Sequence, residues 1–165
     1  MTPIWLAVAE AFLGLREIAG PQSSPVILRW VKQLHVPAWY DDDSKPWCAL
    51  FLNRVLAACH LPMSGTGYDL LRAKSFETWG RALTAPALGA VLVFTRDGGG
   101  HVGFYLGENA HAYKVLGGNQ GNTVSETWIA KDRCSAIRWP DAVPLPLGGP
   151  VMLAANGEPV SGNEA

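Results

Sequence analysis

The stretch PWCALFLNRVLAACH, residues 46–60, carries apolar side chains at helical spacing directly after a proline. Positions 48, 52, 55 and 59 follow an i, i+4, i+7, i+11 pattern, which predicts a helix over residues 47–60 with its apolar face against a sheet. Cys48 lies in the first turn of that helix. Unpaired N–H groups and the helix dipole favour negative charge there, so the sequence predicts a stabilised thiolate and a reactive nucleophile.

A strand pattern with a histidine lies far downstream of this helix. Residues 90–94 form a continuous apolar run, typical of a buried central strand, and a glycine-rich turn follows. Residues 101–106 then alternate, with Val102 and Phe104 on one side and His101 and Gly103 on the other. We expect Gly103 to leave room beside His101 for the Cys48 helix or for a substrate backbone. An imidazole beside the Cys48 thiol would make a cysteine hydrolase site.

The rest of the chain is helical before residue 80 and extended after it. Helices are predicted over residues 5–13, 24–34 and 68–79, and further strands over residues 112–116, 123–128 and 135–139. Consecutive strands favour an antiparallel meander. We therefore predict an α+β fold in which N-terminal helices pack on a small antiparallel sheet. Residues 1–140 form one domain, and residues 141–165, rich in Pro, Gly, Ala and Asn, form a flexible, loosely attached tail.

Composition limits the partners and the surroundings of the chain. A formal net charge of -1 over 165 residues gives no electrostatic reason to bind nucleic acid. Three cysteines without a close pair fit a reducing cytoplasm. No apolar stretch approaches the roughly 20 residues that span a bilayer, and no signal peptide precedes the first helix. We expect synthesis in the cytoplasm, no stable membrane insertion and a monomer.

The sequence indicates neither a metal nor another cofactor. The cysteines and histidines do not reproduce a C-x2-C or H-x3-H ligand arrangement. The glycine run at residues 98–100 lacks the Lys-Ser/Thr of a phosphate-binding loop, and it joins two strands, so we interpret it as a hairpin turn.

Four short motifs occur in an order found in a known family: PWCALF (46–51), GHVGFY (100–105), LGGNQ (116–120) and RWP (138–140). Together they resemble the papain-like cysteine hydrolases of the CHAP and NlpC/P60 group, most closely its small phage and prophage endolysin-like proteins. The resemblance covers residues 3–140. It implies a papain-like fold, peptidoglycan as substrate and a thioacyl-enzyme intermediate.

The resemblance also implies roles for individual residues. Cys48 corresponds to the nucleophile, His101 to the general base and later acid, and Asn119 to the residue that orients the imidazole. Gln120 is the alternative to Asn119, because a strand shift of one residue would exchange their faces. The expected substrate-binding residues are Tyr40, Asp42, Asp43, Trp47 and Gln120. The alternative for both aspartates is that they are solvated charges before a helix start.

The expected function is hydrolysis of a peptidoglycan amide, either the muramoyl–L-alanine bond or a stem-peptide bond, on the wall in the periplasm or outside the cell. Without a signal peptide, an endolysin would need a holin-dependent release route. Three alternatives remain open: a secreted antibacterial amidase toxin, with an immunity protein as partner; a catalytically silent wall-binding or assembly module; and a transferase that resolves the same acyl-enzyme with an amine.

Overall fold

The computed structural model describes residues 1–154 and 159–164, and in this part of the chain helices precede a seven-stranded sheet. The α-helices are α1 (Ile4–Glu10), α2 (Pro25–Gln33) and α3 (Cys48–Ala58). Short 3-10 helices lie at Gly67–Leu71, Ala73–Thr78 and Lys131–Arg133. The strands are β1 (Arg81–Ala82), β2 (Val91–Arg96), β3 (Gly99–Glu108), β4 (Ala112–Gly117), β5 (Ser125–Ala130), β6 (Cys134–Trp139) and β7 (Val160–Ser161). This arrangement confirms the α+β class.

The α-helices begin where local sequence signals place them. Helix α2 starts at Pro25 directly after Ser24, because proline has the backbone angle of a first helical residue and needs no N–H partner there. Helix α3 starts at Cys48, directly after Trp47. Helix α1 ends at Glu10, before the predicted end, and the chain continues in turns to Gly14, whose N–H donates to the Val124 carbonyl (2.9 Å).

The helix predicted over residues 68–79 is wrong, since this segment forms two separate 3-10 helices. Arg72 between them is extended, with φ -105° and ψ 118°. The side chain of Asn53, buried on α3, donates to the Leu70 carbonyl (3.1 Å) and to the Ser64 hydroxyl (2.9 Å). Because the Leu70 carbonyl accepts a hydrogen bond from Asn53, it does not need an N–H partner within an α-helix. A contact between distant residues therefore overrides the local helical pattern.

The sheet is ordered β1-β6-β2-β3-β4-β5-β7, and only the β5–β7 pair is parallel. The predicted meander is confirmed for β2 to β5. It is wrong for β6, which pairs with β2 and not with β5. Arg133, directly before β6, already contacts β2 after the chain has left β5. Its guanidinium donates to the Thr95 carbonyl (3.1 Å) on β2. The predicted turn at the glycine run is confirmed, since Arg96 and Gly99 pair across Asp97 and Gly98.

Helix α3 packs on the centre of the sheet and supplies much of the core. Most of its residues are buried, and aromatic rings from the first two helical segments close its outer side, where Phe12 and Trp30 contact Phe51. A methyl group at Gly118 would lie 2.7 Å from Phe51 Cβ and 2.9 Å from Trp47. The chain after β4 therefore passes close to Trp47 and α3 at Gly118.

Gly103 has a different role from the predicted one. A methyl group there would lie 2.3 Å from Val115 Cγ1 and 3.0 Å from the Leu116 carbonyl oxygen. Strand β4 thus occupies the space that we expected to be open for α3 or a substrate. The residue keeps two neighbouring strands close together.

The described part of the tail contacts the sheet, in contrast to the loose attachment expected for it. The Glu108 amide donates to the Val151 carbonyl (2.8 Å), and the Leu153 amide donates to the Glu108 carbonyl (2.7 Å). Strand β7 pairs with β5. The tail binds free backbone N–H and carbonyl groups at strand ends and edges of the sheet. Amino-acid composition does not predict such backbone contacts. The rest of the predicted tail, residues 155–158 and 165, lies outside the described residues. No helix in the described ranges has the length and apolar character to cross a membrane.

Replacing Gly118 by alanine should destabilise the fold, because the new methyl group would overlap Phe51 and Trp47. We expect a loss of about 1–3 kcal/mol, typical of overpacking, in denaturant unfolding. Gly99→Ala is the matched control, since nothing lies within 4 Å of its added methyl group. Equal stability of the two variants would contradict the close approach.

Candidate active site

Side chains from two segments hold the chain directly before Cys48. The Tyr40 hydroxyl donates to the carbonyls of Lys45 (2.7 Å) and Pro46 (3.1 Å), which holds the chain just before α3. The Trp47 indole N–H donates to Glu17 Oε2 (3.1 Å). Cys48 is then the first residue of α3, with its sulfur beside the N–H groups of a helix start.

His101 lies on β3 opposite Phe94 of β2, and the two rings stack with centroids 6.4 Å apart. Its Nε2 is 2.9 Å from Gln120 Oε1. Both residues are buried, so water cannot replace this hydrogen bond in the described state. Gln120 therefore fixes one edge of the imidazole.

The surroundings of Gln120 determine which imidazole nitrogen carries the proton. The Gln120 amide nitrogen donates to the carbonyls of Val115 (3.2 Å) and Ser125 (2.6 Å), which uses both of its hydrogens. Oε1 must then be the atom that faces His101, and an oxygen can only accept. Nε2 of the neutral ring accordingly carries the hydrogen, and Nδ1 keeps the lone pair of a base.

The Cys48 sulfur lies against the same strand as His101. The backbone N–H of Val102, the residue after His101, acts on the sulfur together with the N–H groups of Cys48 and Ala49, and all three favour the thiolate. Helix α3 and strand β3 are also in direct contact. The Cys48 thiol therefore lies beside the strand that carries His101, at the junction of α3 and β3.

Burial dominates the electrostatics of this pair. Burial raises the pKa of the Cys48 thiol, while the positive charge of Arg96 and the three N–H groups oppose the shift. Burial likewise lowers the pKa of His101 to about 4, against the opposing influence of Glu164 and of the hydrogen bond to Gln120. Cys48 is 3% exposed and His101 1%. The pair rests uncharged near neutral pH, so burial exceeds the helix-start effect from which we predicted a stabilised thiolate.

Gln120, and not Asn119, hydrogen-bonds His101, which corrects the first of the two assignments. Asn119 adopts a left-handed backbone with φ 56°, and its Oδ1 is buried without a partner in the described structure. This conformation turns the chain directly after β4 and presents the next residue to His101. A prediction that assumes regular strand alternation through Asn119 and Gln120 does not anticipate this turn.

The loop before Cys48 contains the other residues that we expected to touch substrate. Asp43 is buried, and its Oδ2 accepts from the amides of Ile18 (2.9 Å) and Ser24 (2.6 Å). Asp42 pairs with Lys45 (2.6 Å), which lowers the pKa of its carboxyl to about 2. Tyr40 and Trp47 are buried as well. Among Tyr40, Asp42, Asp43 and Trp47, only Asp42 has a substantially exposed side chain.

Two charged residues near the site had no sequence signal. Glu17 binds the Trp47 indole, and Arg96 acts on both Cys48 and His101. Arg96 ends β2 opposite Gly99, next to the hairpin turn, so only the strand pairing brings it near the thiol. Across residues 1–154 and 159–164, no group of three acidic, cysteine or histidine side chains could hold a metal ion.

No protein-family model matches the chain, and a search of curated proteins finds no significant similarity.

The buried imidazole should make folding stability depend on pH. Between pH 6.5 and pH 4 the unfolded chain binds a proton that folded His101, with its pKa of about 4, does not. Stability should then fall as the pH drops through this range, by roughly 3 kcal/mol for the full shift. Denaturant unfolding of the protein and of His101→Gln at several pH values measures the difference in slope.

His111→Asn is the control for that measurement, because His111 is exposed. It should retain the full pH dependence. A His101→Gln curve parallel to that of the unsubstituted protein would show that His101 titrates normally and is not held in a buried site.

Proposed function

We propose that this chain is a cysteine hydrolase with a papain-like fold that cleaves an amide bond of peptidoglycan. The main support is that Gln120 directs the lone pair of His101 to Nδ1 while the Cys48 sulfur lies against the same strand. A nucleophile, a base and an orienting group are the parts of a covalent hydrolase site.

In the proposed reaction, each residue of the site has a defined step. Nδ1 of His101 takes the thiol proton as the Cys48 sulfur attacks the amide carbonyl. The carbonyl oxygen becomes an oxyanion, and the N–H groups at the start of α3 are its donors. The imidazolium then gives its proton to the leaving amine, and the carbonyl remains on sulfur as a thioester. His101 next removes a proton from water as the water oxygen attacks the thioester carbonyl. The C–S bond then breaks, the carboxylic acid product leaves, and the imidazolium returns its proton to the Cys48 sulfur.

The resting state of the site is consistent with a base that works on a neutral thiol. With its low pKa, His101 is unprotonated at neutral pH and can accept the proton. The charge that forms on the ring is stabilised by Gln120 Oε1 and by the nearby Glu164 carboxylate. Gln120 is thus proposed as a positioning residue in the place first given to Asn119.

Peptidoglycan as substrate is supported by the resemblance of the four motifs, and either the muramoyl–L-alanine bond or a stem-peptide bond fits the chemistry. An endolysin and a secreted amidase toxin share this activity. A catalytically silent wall-binding module is the second candidate, and one observation favours it: the exposed fractions of Cys48 and His101 are only 3% and 1%.

Purified protein should release fragments from peptidoglycan, and mass spectrometry of the new ends identifies the bond that is cut. Cys48→Ala and His101→Ala should each abolish release, because each removes a group that the reaction requires. Cys59→Ala is the matched control and should stay active, since Cys59 lies at the far end of α3. No release by the unsubstituted protein at any pH would favour the silent module.

Gln120→Leu should lower turnover by about a hundredfold or more, because the imidazole loses the partner that sets its tautomer. Asn119→Gly keeps the left-handed backbone and should stay within a few fold of the unsubstituted protein. Rates from the peptidoglycan assay across pH 4–8 compare the two, and a change in the acidic limb is expected for Gln120→Leu alone. A strong loss in Asn119→Gly with an active Gln120→Leu would contradict the assignment.

A further inference from the structure

The segment Val160–Glu164 lies beside the candidate active site. Its strand β7 adds in parallel to β5, with Trp128 opposite Val160. The carbonyl of Glu164 accepts from the Gly121 N–H (2.9 Å), and Gly121 directly follows the residue that holds His101. The segment is therefore bound through its backbone, as an added strand and by one further hydrogen bond.

The side chain of Glu164 occupies a built carboxylate site. Its two oxygens accept from both terminal nitrogens of Arg133 at 2.7 and 2.8 Å, and one oxygen also accepts from the Ser161 hydroxyl (3.1 Å). The Glu164 side chain is 0% exposed. Outside the segment, Arg133 is held by the Thr95 carbonyl (3.1 Å), and the Ser161 carbonyl that also accepts from it (3.0 Å) belongs to the segment itself. A fixed, bidentate arginine of this kind recognises a carboxylate by shape as well as by charge.

The carboxylate site lies close to the proposed chemistry. The charge of Glu164 raises the pKa of His101, and His101 lowers the pKa of Glu164. Arg96 adds a second cation that acts on Cys48 and His101, and its Nε is buried without a partner in the described structure. The charge of an anionic ligand at Arg133 would therefore interact with His101 in the candidate active site.

Strand addition combined with an anchored side chain is a common way for proteins to bind peptides. We propose that Val160–Glu164 occupies, as a pseudosubstrate, a subsite in which Arg133 binds the carboxylate of an acidic peptide, and that release of the segment opens the Cys48 site. The substrate role of this peptide rests on the proposed function, whereas occupancy and closure do not. While the segment is bound, Cys48 and His101 are buried.

A segment of the same chain competes strongly with a free peptide. Because it is tethered, its effective concentration reaches the millimolar range, so a substrate must displace it or meet a chain in which it has already left. Weakening the Glu164 anchor should shift the balance toward the open state.

Glu164→Gln in the full chain tests the closure directly, because it keeps the size of the side chain and removes its charge. Modification of Cys48 by a small thiol reagent is followed by mass spectrometry, with Cys59 and Cys134 as internal references. We expect Cys48 to react about tenfold faster or more, because the charged bidentate pair is lost. Glu10→Gln is the control, because it removes an exposed carboxylate on α1, and it should leave the rate unchanged.

The peptide Pro-Val-Ser-Gly-Asn-Glu, residues 159–164 with a C-terminal amide, tests the subsite. Added in excess to Glu164→Gln, it should slow modification of Cys48 again, whereas the same peptide ending in Gln should not. A protease site inserted between Ala154 and Pro159 provides a second route, since cleavage of the folded chain should also expose Cys48.

Unchanged Cys48 reactivity both in Glu164→Gln and after cleavage would overturn the closure. Equal protection by the two peptides would overturn carboxylate recognition. These readings need no peptidoglycan, so failure of wall cleavage with a normal peptide response would count against the proposed function alone. Faster fragment release by Glu164→Gln than by the unsubstituted protein would support both.

Discussion

The side chain of Gln120 bonds three parts of the fold at once, and the candidate site depends on that hold. Its amide nitrogen donates to carbonyls of Val115 and Ser125, and its oxygen is left for His101. Gly117 leaves the space for this arrangement, because a methyl group there would lie 2.7 Å from Gln120 Oε1. With both donors used by the backbone, the amide cannot turn over without losing one buried and one partly buried hydrogen bond. The direction of the imidazole lone pair follows from this constraint.

The N-terminal segment braces the loop that carries Gln120. Gly14 and Val124 form one backbone hydrogen bond, Val124 and Leu15 a second (2.7 Å), and the Glu17 amide donates to the Asn122 carbonyl (3.0 Å). Glu17 also holds Trp47, the residue before the thiol. One short segment thereby links the loop of the orienting residue to the start of α3. The start of α3, with Cys48, and the loop that carries Gln120 therefore share one support.

Burial works against the charges that the chemistry needs. The helix start favours the thiolate, yet the apolar surroundings of Cys48 raise its pKa, and the same surroundings lower the pKa of His101. A neutral Cys48 thiol beside a neutral His101 in a closed site has low reactivity, because the thiolate is the nucleophilic form. Opening toward solvent, or binding of an anion near Arg96 and Arg133, would change the local field, which connects the proposed pseudosubstrate to the reactivity of the thiol.

Sequence patterns predicted the elements that depend on local physics. Helix α3 with Cys48 at its start, the β2–β3 hairpin and the placement of His101 on β3 follow from periodicity, proline and glycine. Contacts between distant segments could not be predicted in this way. The pairing of β6 with β2 and the anchoring of Glu164 on Arg133 each depend on partners far along the chain, and the left-handed backbone at Asn119 does not follow from strand periodicity.

Nitrogen NMR of the His101 ring tests the central claim most directly, because it reports which ring nitrogen carries the proton and at what pH the second proton binds. We expect a neutral ring protonated on Nε2 from pH 5 to pH 8, with a pKa of about 4. A ring protonated on Nδ1 would contradict the orientation of His101 by Gln120 and the mechanism that depends on it, and a ring already doubly protonated at pH 6 would contradict the lowering of its pKa by burial.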